Sequence, residues 1–255
     1  MRQTRGVTTR VGVIGASGRM GSQACRAVED APDLELVAAV GRGDPLERLV
    51  EARADVAVEL TRPDVAMHNL RWCVEHGVHA VVGTSGFTPE RLDEVREWLG
   101  PSPGVGVIVA PNFSVGAVLM MRFAEQAARL YESVEVVELH HAGKADAPSG
   151  TARRTAERMA AARAHAGLGP GPDATTEDPL GARGASIQGV HVHAVRLSGL
   201  VAHQEVLLGS AGELLTLRHD SFDRASFMPG LLLAVRQVGP RPGLTVGLEH
   251  LLDLG

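Results

Sequence analysis

The stretch VGVIGASGRMG (11–21) leads from a run of β-branched residues into a helical pattern through Gly15, Gly18 and Gly21. In this spacing the first glycine permits a sharp turn, the second lets a pyrophosphate approach the backbone, and the third lets the next helix pack closely on the sheet. The amides and the dipole at the start of that helix favour an anion. We therefore predict a dinucleotide-binding loop. A tight strand–helix turn that binds no ligand is the alternative.

The alternation of short apolar strands and helical patterns continues outward from this loop through the first half of the chain. Strands are predicted at 10–16, 34–40, 55–60, 79–84 and 104–110, and helices at 19–30, 62–77 and 87–100. Strands that are apolar throughout and alternate with helices are typical of a parallel sheet covered on both faces. The predicted fold class is therefore α/β, with a Rossmann-like doubly wound parallel sheet.

Single residues mark the ends of two of these helices. Pro63 is expected in the first turn of the second helix and Gly77 at its exit. Thr88 is a candidate N-cap of the third helix, with Pro89 directly after it and Gly100 at its end.

The second half of the chain predicts an α+β domain with an open mixed sheet and helices on one face. Helices are predicted at 114–131, 149–166 and 223–238, and strands at 133–141, 189–197, 202–210 and 213–221. The last three strands are expected to be antiparallel, with a tight turn at SAGE (210–213). The Gly- and Pro-rich segment 167–185 is expected to be a loop. The expected domains are 1–112 with 222–255, which bind the dinucleotide, and 113–221.

Composition excludes several classes of protein. The net charge is -5 without a basic block, which argues against nonspecific nucleic-acid binding. No apolar run approaches the ~20 residues of a membrane span, and MRQTRGVTTR (1–10) is expected to be a short flexible tail rather than a signal peptide. We expect a cytoplasmic protein in which Cys25 and Cys73 are reduced, packed thiols without a CxxC partner for zinc.

The end of the second strand indicates which cofactor is preferred. Sites that prefer NAD place Asp or Glu there to bind the ribose hydroxyls. In AAVGRGDP (38–45) the expected acidic place is Gly41, followed by Arg42, and Asp44 can substitute only in part. An arginine suits the 2′-phosphate, so we expect NADPH, with NADH tolerated. The alternative is that Arg42 is a solvated loop residue.

The parallel sheet predicts a binding crevice at the carboxyl ends of its strands. Three small, polar loops end there, at 59–63, 83–87 and 110–116. Together with the glycine loop they give these candidate cofactor-binding residues: Gly15, Ala16, Ser17, Gly18, Arg19, Met20, Gly21, Arg42, Leu60, Thr61, Gly83, Thr84, Ser85, Ala110, Pro111, Asn112 and Phe113.

A second cluster of polar residues lies in VELHHAGKADAPSGTAR (137–153), far from the glycine loop. His140 and His141 end a predicted strand, where successive side chains point to opposite faces, so the two are not expected to share one role. Lys144 follows in the loop and supplies positive charge or a proton.

Ser149, Gly150 and Thr151 begin the next predicted helix, where backbone amides and two hydroxyls converge into a site suited to a carboxylate. Helix capping by Ser149 or Thr151 is the alternative, and it is compatible with binding. Metal ligation is not expected, because adjacent histidines rarely bind one ion and no third ligand is suitably spaced. A serine nucleophile would need Gly-x-Ser-x-Gly, which is absent here.

Four motifs together resemble the family of 4-hydroxy-tetrahydrodipicolinate reductases, formerly called dihydrodipicolinate reductases, in its shorter, actinobacterial form. They are GASGRMG (15–21), VVGTSGF (81–87), APNFSVGA (110–117) and ELHHAGKADAPSGTA (138–152), and the similarity continues through the tail. The resemblance implies an oxidoreductase that uses NADPH or NADH to reduce a cyclic dicarboxylate. It also implies a homotetramer formed through the open sheet of the domain 113–221, which would bind substrate and mediate oligomerisation.

The resemblance further implies roles for single residues. His140 is the expected general acid/base and Lys144 the expected proton donor, and the division of proton transfer between them stays open. His141, Lys144, Ser149, Gly150 and Thr151 are expected to bind the substrate carboxylates.

The implied reaction converts (2S,4S)-4-hydroxy-2,3,4,5-tetrahydrodipicolinate to (S)-2,3,4,5-tetrahydrodipicolinate, with loss of water, in diaminopimelate and lysine biosynthesis. Hydride addition to the conjugated ring leaves an electron-rich enamine that then receives a proton. Two alternatives remain at this point: another two-domain NAD(P) oxidoreductase, such as a homoserine- or sugar-dehydrogenase-like enzyme, and a non-catalytic nucleotide-sensing protein.

Overall fold

The structure, a computed structural model, describes residues 8–253. Most of the N-terminal segment expected to be a flexible tail, residues 1–7, lies outside this range. The chain divides into two compact units, one formed up to Val115 and again from Phe227, and the other by Gly116–Ser226. The divisions fall a few residues after the domain limits expected from the sequence. Among the described residues, no helix is both long and apolar enough to cross a membrane.

The first unit contains a parallel sheet, as the sequence predicted, with six strands instead of the five expected. Its strands are β1 (Thr9–Ile14), β2 (Leu34–Val40), β3 (Val56–Glu59), β4 (His79–Val82), β5 (Gly106–Val109) and β11 (Gly243–Val246). Their order is β11-β5-β4-β3-β1-β2, and all neighbours are parallel. The chain reverses its direction of winding at β1, which has β2 on one side and β3 on the other. Ligands of such sheets bind at this switch point.

The helices of the first unit are α1 (Arg19–Glu29), α2 (Glu47–Glu51), α3 (Ala66–Glu75), α4 (Pro89–Leu99) and α7 (Met228–Val238), with a 3₁₀ turn at Leu248–Leu251. Strands β3, β4 and β5 are almost wholly buried, because helices cover both faces of the sheet. Leu70 and Cys73 of α3 pack with Val95 of α4 in one apolar cluster against the sheet.

Most of the predicted helix ends are confirmed. The Thr88 hydroxyl accepts from the Arg91 amide at the start of α4, and Gly100 ends this helix with a φ of 66°. The prediction that Pro63 lies in the first turn of α3 is wrong. The amides of Val65 and Ala66 both donate to the Arg62 carbonyl, so a separate turn precedes the helix.

The second unit contains a five-stranded mixed sheet, which also agrees with the predicted class. Its strands are β6 (Ser133–His140), β7 (Ala185–Ile187), β8 (Val190–Arg196), β9 (Ala202–Ser210) and β10 (Glu213–Ser221), in the order β10-β9-β6-β8-β7. The β9–β10 hairpin has the predicted tight turn, with Gly212 at a φ of 86°.

Strand β8 is not next to β9, although the sequence pattern placed it in one antiparallel series with β9 and β10. Strand β6 lies between them, parallel to β8 and antiparallel to β9. The short connection from β8 to β9 crosses the end of β6, where the Leu197 amide donates to the His140 carbonyl and the His141 amide donates to the Val201 carbonyl.

Helices α5 (Val115–Ala127) and α6 (Gly150–His165) cover one face of this sheet. Helix α5 ends earlier than predicted. The buried guanidinium of Arg163 donates to the carbonyls of Ala128 and Tyr131 and so holds the chain in a turn after the helix. The predicted helix at 223–238 begins as a 3₁₀ turn (Arg224–Phe227) and continues as α7.

Candidate active site

The glycine loop of the first unit has the compact geometry that the spacing predicted. Gly15 has a φ of 85°, and a Cβ on it would lie 2.6 Å from the Leu60 carbonyl oxygen. A Cβ on Gly21 would lie only 2.0 Å from the Gly15 carbonyl oxygen. Gly18 is the N-cap of α1. A side chain at position 15 would therefore force the loop away from Leu60, and a side chain at position 21 would force α1 away from the loop.

A cavity of about 880 Å³ opens at the carboxyl ends of β1, β2 and β3 in the first unit. Predicted cofactor residues line it, namely Gly15, Ser17, Gly18, Arg42, Leu60 and Thr61. Three further lining residues come from one face of α3 and were missed by sequence reasoning, namely His68, Asn69 and Trp72. Their i, i+1 and i+4 spacing places them on one face of the helix after β3, and this spacing could have identified them from the sequence.

The predicted cofactor residues outside this cavity follow neighbouring strands of the same unit. Ala16, Arg19, Met20 and Gly21 belong to the glycine loop and α1, Gly83, Thr84 and Ser85 follow β4, and Ala110, Pro111, Asn112 and Phe113 follow β5. Phe113 is buried, and its ring leaves no room for a Cβ on Gly83. Phe113 therefore packs inside the unit.

The loop after β2 places one acidic and one basic side chain at the cavity. Asp44 Oδ2 accepts from the Gly41 amide at 2.8 Å and pairs with Arg48. A Cβ on Gly41 would lie 3.3 Å from this oxygen, so the Asp44 carboxylate occupies the region that an acidic residue 41 would reach. Arg42 is exposed beside it.

A buried carboxylate not identified from the sequence, Glu59, joins the loops after β3 and β4. Its Oε1 accepts from the Thr61 amide, the Thr61 hydroxyl and the Asn69 amide group. Its Oε2 accepts from the Thr84 hydroxyl. Two predicted cofactor residues, Thr61 and Thr84, are thereby fixed by one side chain.

In the second unit, the end of β6 carries His140 next to another buried carboxylate. Glu138 precedes His140 by two residues, so both side chains lie on one face of the strand. Glu138 Oε2 lies 2.5 Å from His140 Nδ1, and Glu138 is fully buried. His141, the next residue, is exposed. The two histidines therefore lie in different environments, and their having different roles stays a prediction.

Arg196, at the end of β8, organises the same site and was not predicted. Its guanidinium binds both oxygens of Glu138 at 2.8 Å. It also donates to the carbonyl of Asp146, which holds the loop after β6 against the strand. Lys144 lies in this loop, where its ammonium is 2.7 Å from Asp146 Oδ1.

Helix α6 begins where the sequence predicted, with Ser149 as its N-cap. The Ser149 hydroxyl accepts from the Ala152 amide at 3.2 Å, and the Ser149 amide donates to Glu138 Oε1. The capping role expected for Ser149 is therefore present. Gly150 is exposed, and a Cβ on it would meet no atom within 4 Å.

Burial and charge act in opposite directions on these titratable groups. Burial lowers the pKa of His140 below its usual value, although Glu138 beside it acts in the other direction. Burial alone would raise the pKa of Glu138, but the donors Arg196, His140 and the Ser149 amide outweigh it and bring this pKa below the usual range. A neutral imidazole beside an ionised carboxylate results.

Known proteins match both halves of the chain. The family model for the dihydrodipicolinate reductase N-terminus matches residues 9–113, and the model for its C-terminus matches residues 116–252.

Two named relatives are similar over nearly the full chain. The 4-hydroxy-tetrahydrodipicolinate reductase of Nocardia farcinica is 64% identical over 248 residues, which cover 97% of this chain and 100% of the relative. The enzyme of the same name from Streptomyces griseus subsp. griseus is 65% identical over 245 residues, which cover 96% of this chain and 98% of the relative.

A solved structure is similar as well. Dipicolinate-bound dihydrodipicolinate reductase from Paenisporosarcina sp. TG-14 has a TM-score of 0.85 at 39% identity, and the match covers 96% of this chain and 100% of that chain.

Proposed function

The chain belongs to the dihydrodipicolinate reductase family, and on that basis we propose that it reduces 4-hydroxy-tetrahydrodipicolinate with a nicotinamide cofactor. The product is tetrahydrodipicolinate, formed with loss of water in diaminopimelate and lysine biosynthesis. The protein is thus an oxidoreductase that acts on a small cyclic dicarboxylate.

One observation about this chain carries the proposal beyond family membership. Lys144 is the only lysine among the 25 lysine and arginine residues. Arginine remains charged under all ordinary conditions, whereas lysine can give up a proton. The position of this single lysine, in the loop between His140 and the start of α6, therefore supports a role in proton transfer.

The first unit fits a dinucleotide. Gly15 and Gly21 keep the glycine loop free of side chains at these positions, and this loop would approach the pyrophosphate. The backbone amides at the N-terminus of α1 would donate hydrogen bonds to it. The cavity at the switch point is of the size that small-molecule sites have. The cofactor supplies the hydride when bound. Thr61 and Thr84, held by Glu59, are proposed to line its nicotinamide end.

We expect NADPH to be preferred and NADH to be used as well. Arg42 is available for a 2′-phosphate, which favours NADPH. The Asp44 carboxylate offers an acceptor for ribose hydroxyls, which favours NADH. Both side chains lie at the same cavity, and because their charges are opposite they act in opposite directions on the choice between NADPH and NADH.

The second unit is proposed to bind the substrate and supply its proton. Ser149, Gly150 and Thr151 at the start of α6 would bind one carboxylate, with positive charge from Lys144 and a ring N–H donor from His141. Asp146 keeps the Lys144 ammonium in place, and the charge of Lys144 in turn holds the pKa of Asp146 below its usual range. His140 is the proposed acid/base group.

A homotetramer is proposed through the face of the second unit's sheet that α5 and α6 leave uncovered. Val137, Leu139 and Leu207 on this face are half-buried, and Leu214 is 67% exposed. An exposed apolar sheet face of this kind favours association. Light scattering of the purified protein tests the oligomeric state, and a cytoplasmic location stays a prediction.

The deciding experiment is turnover of freshly prepared 4-hydroxy-tetrahydrodipicolinate, followed as loss of NADPH or NADH absorbance. We expect Lys144→Arg, which keeps the charge, to lower kcat about 10²–10⁴-fold, as expected for loss of a general acid. Arg154→Lys, an Arg–Lys exchange on α6, is the matched control. Absence of turnover in the unmodified protein with both cofactors contradicts the proposal.

A further inference from the structure

The carboxylate of Glu138 has four hydrogen-bond donors, two on each oxygen. Oε1 accepts from Arg196 at 2.8 Å and from the Ser149 amide at 3.0 Å. Oε2 accepts from Arg196 at 2.8 Å and is 2.5 Å from His140 Nδ1. A carboxylate has about four acceptor positions, so these contacts use its whole capacity. Glu138 therefore has no position left for a substrate proton.

Three of the four donors fix the charge of Glu138. A guanidinium and a backbone amide only donate, so the carboxylate facing them must accept at each of these contacts. A protonated Glu138 would place its hydroxyl against one of these donors. Glu138 is thus held ionised by its geometry, and the lowered pKa agrees with this.

The fourth contact then determines the protonation of His140. A ring nitrogen that faces an ionised acceptor at 2.5 Å must carry hydrogen, since two lone pairs would repel each other. The neutral His140 is therefore protonated at Nδ1 and has its lone pair at Nε2. A second proton, when it binds, adds at Nε2.

We propose that Glu138 is a positioning residue that holds His140 in the Nδ1-protonated form, so that His140 exchanges protons only at Nε2. The proposal rests on the proposed function for the role of His140, while the protonation state itself does not. Glu138 acts as the aspartate does in a serine–histidine–aspartate triad, where the carboxylate orients the ring and stabilises its cation.

A purely structural role is the competing explanation, because Glu138 also forms the buried ion pair with Arg196. The two explanations differ in one measurable property. An ion pair that only stabilises the fold predicts no preferred nitrogen on His140, whereas a positioning residue fixes it.

The test uses the full-length protein labelled with ¹⁵N-histidine, with His140→Asn to assign the signal. In the unmodified protein without substrate, we expect the neutral His140 to be protonated at Nδ1. In Glu138→Gln, the Ser149 amide, which can only donate, holds the amide oxygen at the Oε1 position, so the amide nitrogen faces His140 Nδ1 and donates to it. The proton of His140 should therefore move to Nε2.

The chain offers a matched control on the same strand. Glu135 Oε2 lies 2.7 Å from His193 Nε2, and Glu135 Oε1 binds Arg183, so it reproduces the Glu–His–Arg contact set on the other face of β6. Glu135→Gln should leave the His140 signal unchanged.

The kinetic readout separates positioning from general damage. We expect Glu138→Gln to lower kcat by about 10²-fold or more and to leave the KM for NADPH unchanged, because the cofactor residues are elsewhere. The charges facing His140 are Glu138, Lys144 and Arg196. Loss of the negative one lowers the pKa of His140, so the limb of the pH–rate profile that reports His140 should move to lower pH.

The outcomes are distinguishable. Protonation of the neutral ring at Nε2 in the unmodified protein overturns the proposal, even if Glu138→Gln fails to fold. The same follows if Glu138→Gln folds and keeps both the His140 signal and kcat. Lack of turnover in the unmodified protein contradicts the proposed function alone, because the ¹⁵N measurement needs no substrate.

Discussion

Glu59 and Thr84 join the ends of β3 and β4 through a hydrogen bond from the Thr84 hydroxyl to the buried Glu59 carboxylate. The same carboxylate holds Thr61 and Asn69. A buried acceptor shared by several donors stabilises all of them together, and its loss leaves each donor unsatisfied. The loops after β3 and β4, which are proposed to contact the nicotinamide, are thus both held by the Glu59 carboxylate.

Glu59→Gln should therefore raise the KM for NADPH about tenfold. The amide has one acceptor oxygen only. With this oxygen on the Thr61 amide and Asn69, the NH₂ group faces Thr84 and must donate to its hydroxyl, so the charge-assisted hydrogen bond from Thr84 is replaced by a weaker, reversed one. Steady-state kinetics at saturating substrate measure this. The control is Glu75→Gln, because Glu75 is on α3 and contacts Arg71 at the surface. Equal KM values in the two variants would contradict the role given to Glu59.

Arg42 and Asp44 should shift cofactor preference in opposite directions. Arg42→Ala removes the charge available to a 2′-phosphate, so kcat/KM with NADPH should fall about tenfold while that with NADH is unchanged. Asp44→Asn keeps an oxygen for the Gly41 amide but removes the negative charge, so kcat/KM with NADH should fall. A parallel loss with both cofactors in either variant would show that the residue stabilises the loop only.

Gly150→Ala should separate substrate binding from folding. Alanine favours a helix over glycine by about 1 kcal/mol, and no atom lies near the added Cβ, so thermal stability should be unchanged or higher. If a carboxylate approaches the start of α6, the extra methyl obstructs it, and the KM for substrate should rise about tenfold. Gly104→Ala, which also has open space at its Cβ, is the control. A normal KM argues that Gly150 has no contact with substrate.

His79 should make the first unit less stable in acid. Its Nδ1 accepts from the Gly106 amide at 2.9 Å, which requires a neutral ring, and burial lowers its pKa below 6.5 although Asp55 acts in the other direction. The unfolded chain therefore binds this proton more readily than the folded one. The stabilisation is complete above pH 6.5 and is lost as the pH falls toward the folded-state value.

Thermal midpoints measured between pH 7 and about pH 5 test this expectation. His79→Gln should give a shallower decline with acid than the unmodified protein. His250→Gln, at an exposed histidine of the same unit, should follow the unmodified curve. If all three curves coincide, the Gly106 contact has no effect on the titration of His79.

Elements with strong local signals were predicted closely. Strands 34–40, 202–210 and 213–221 were predicted with the bounds they have, because turn residues flank each of them. Helix α2 and strands β7 and β11 were missed. They have five, three and four residues, and β11 is defined by its pairing with β5, far away in sequence.

The candidate site was predictable in its local parts only. The glycine loop and the start of α6 follow from residue spacing, since both are single turns into a helix. Arg196 was missed because 58 residues separate it from Glu138, and the place of β8 beside β6 is a property of the sheet. Glu138 could have been found, because residues i and i+2 of a strand share a face.

The four donors around Glu138 link ligand binding at the start of α6 to the protonation of His140. One carboxylate holds both the amide that starts α6 and the ring of His140. A dianionic ligand that binds at the start of α6 adds negative charge near His140 and favours its cation. Binding and proton uptake are then coupled, so the calorimetric heat of binding near pH 6 depends on the ionisation enthalpy of the buffer. Mildly acidic solution would accordingly increase the apparent affinity for the dicarboxylate.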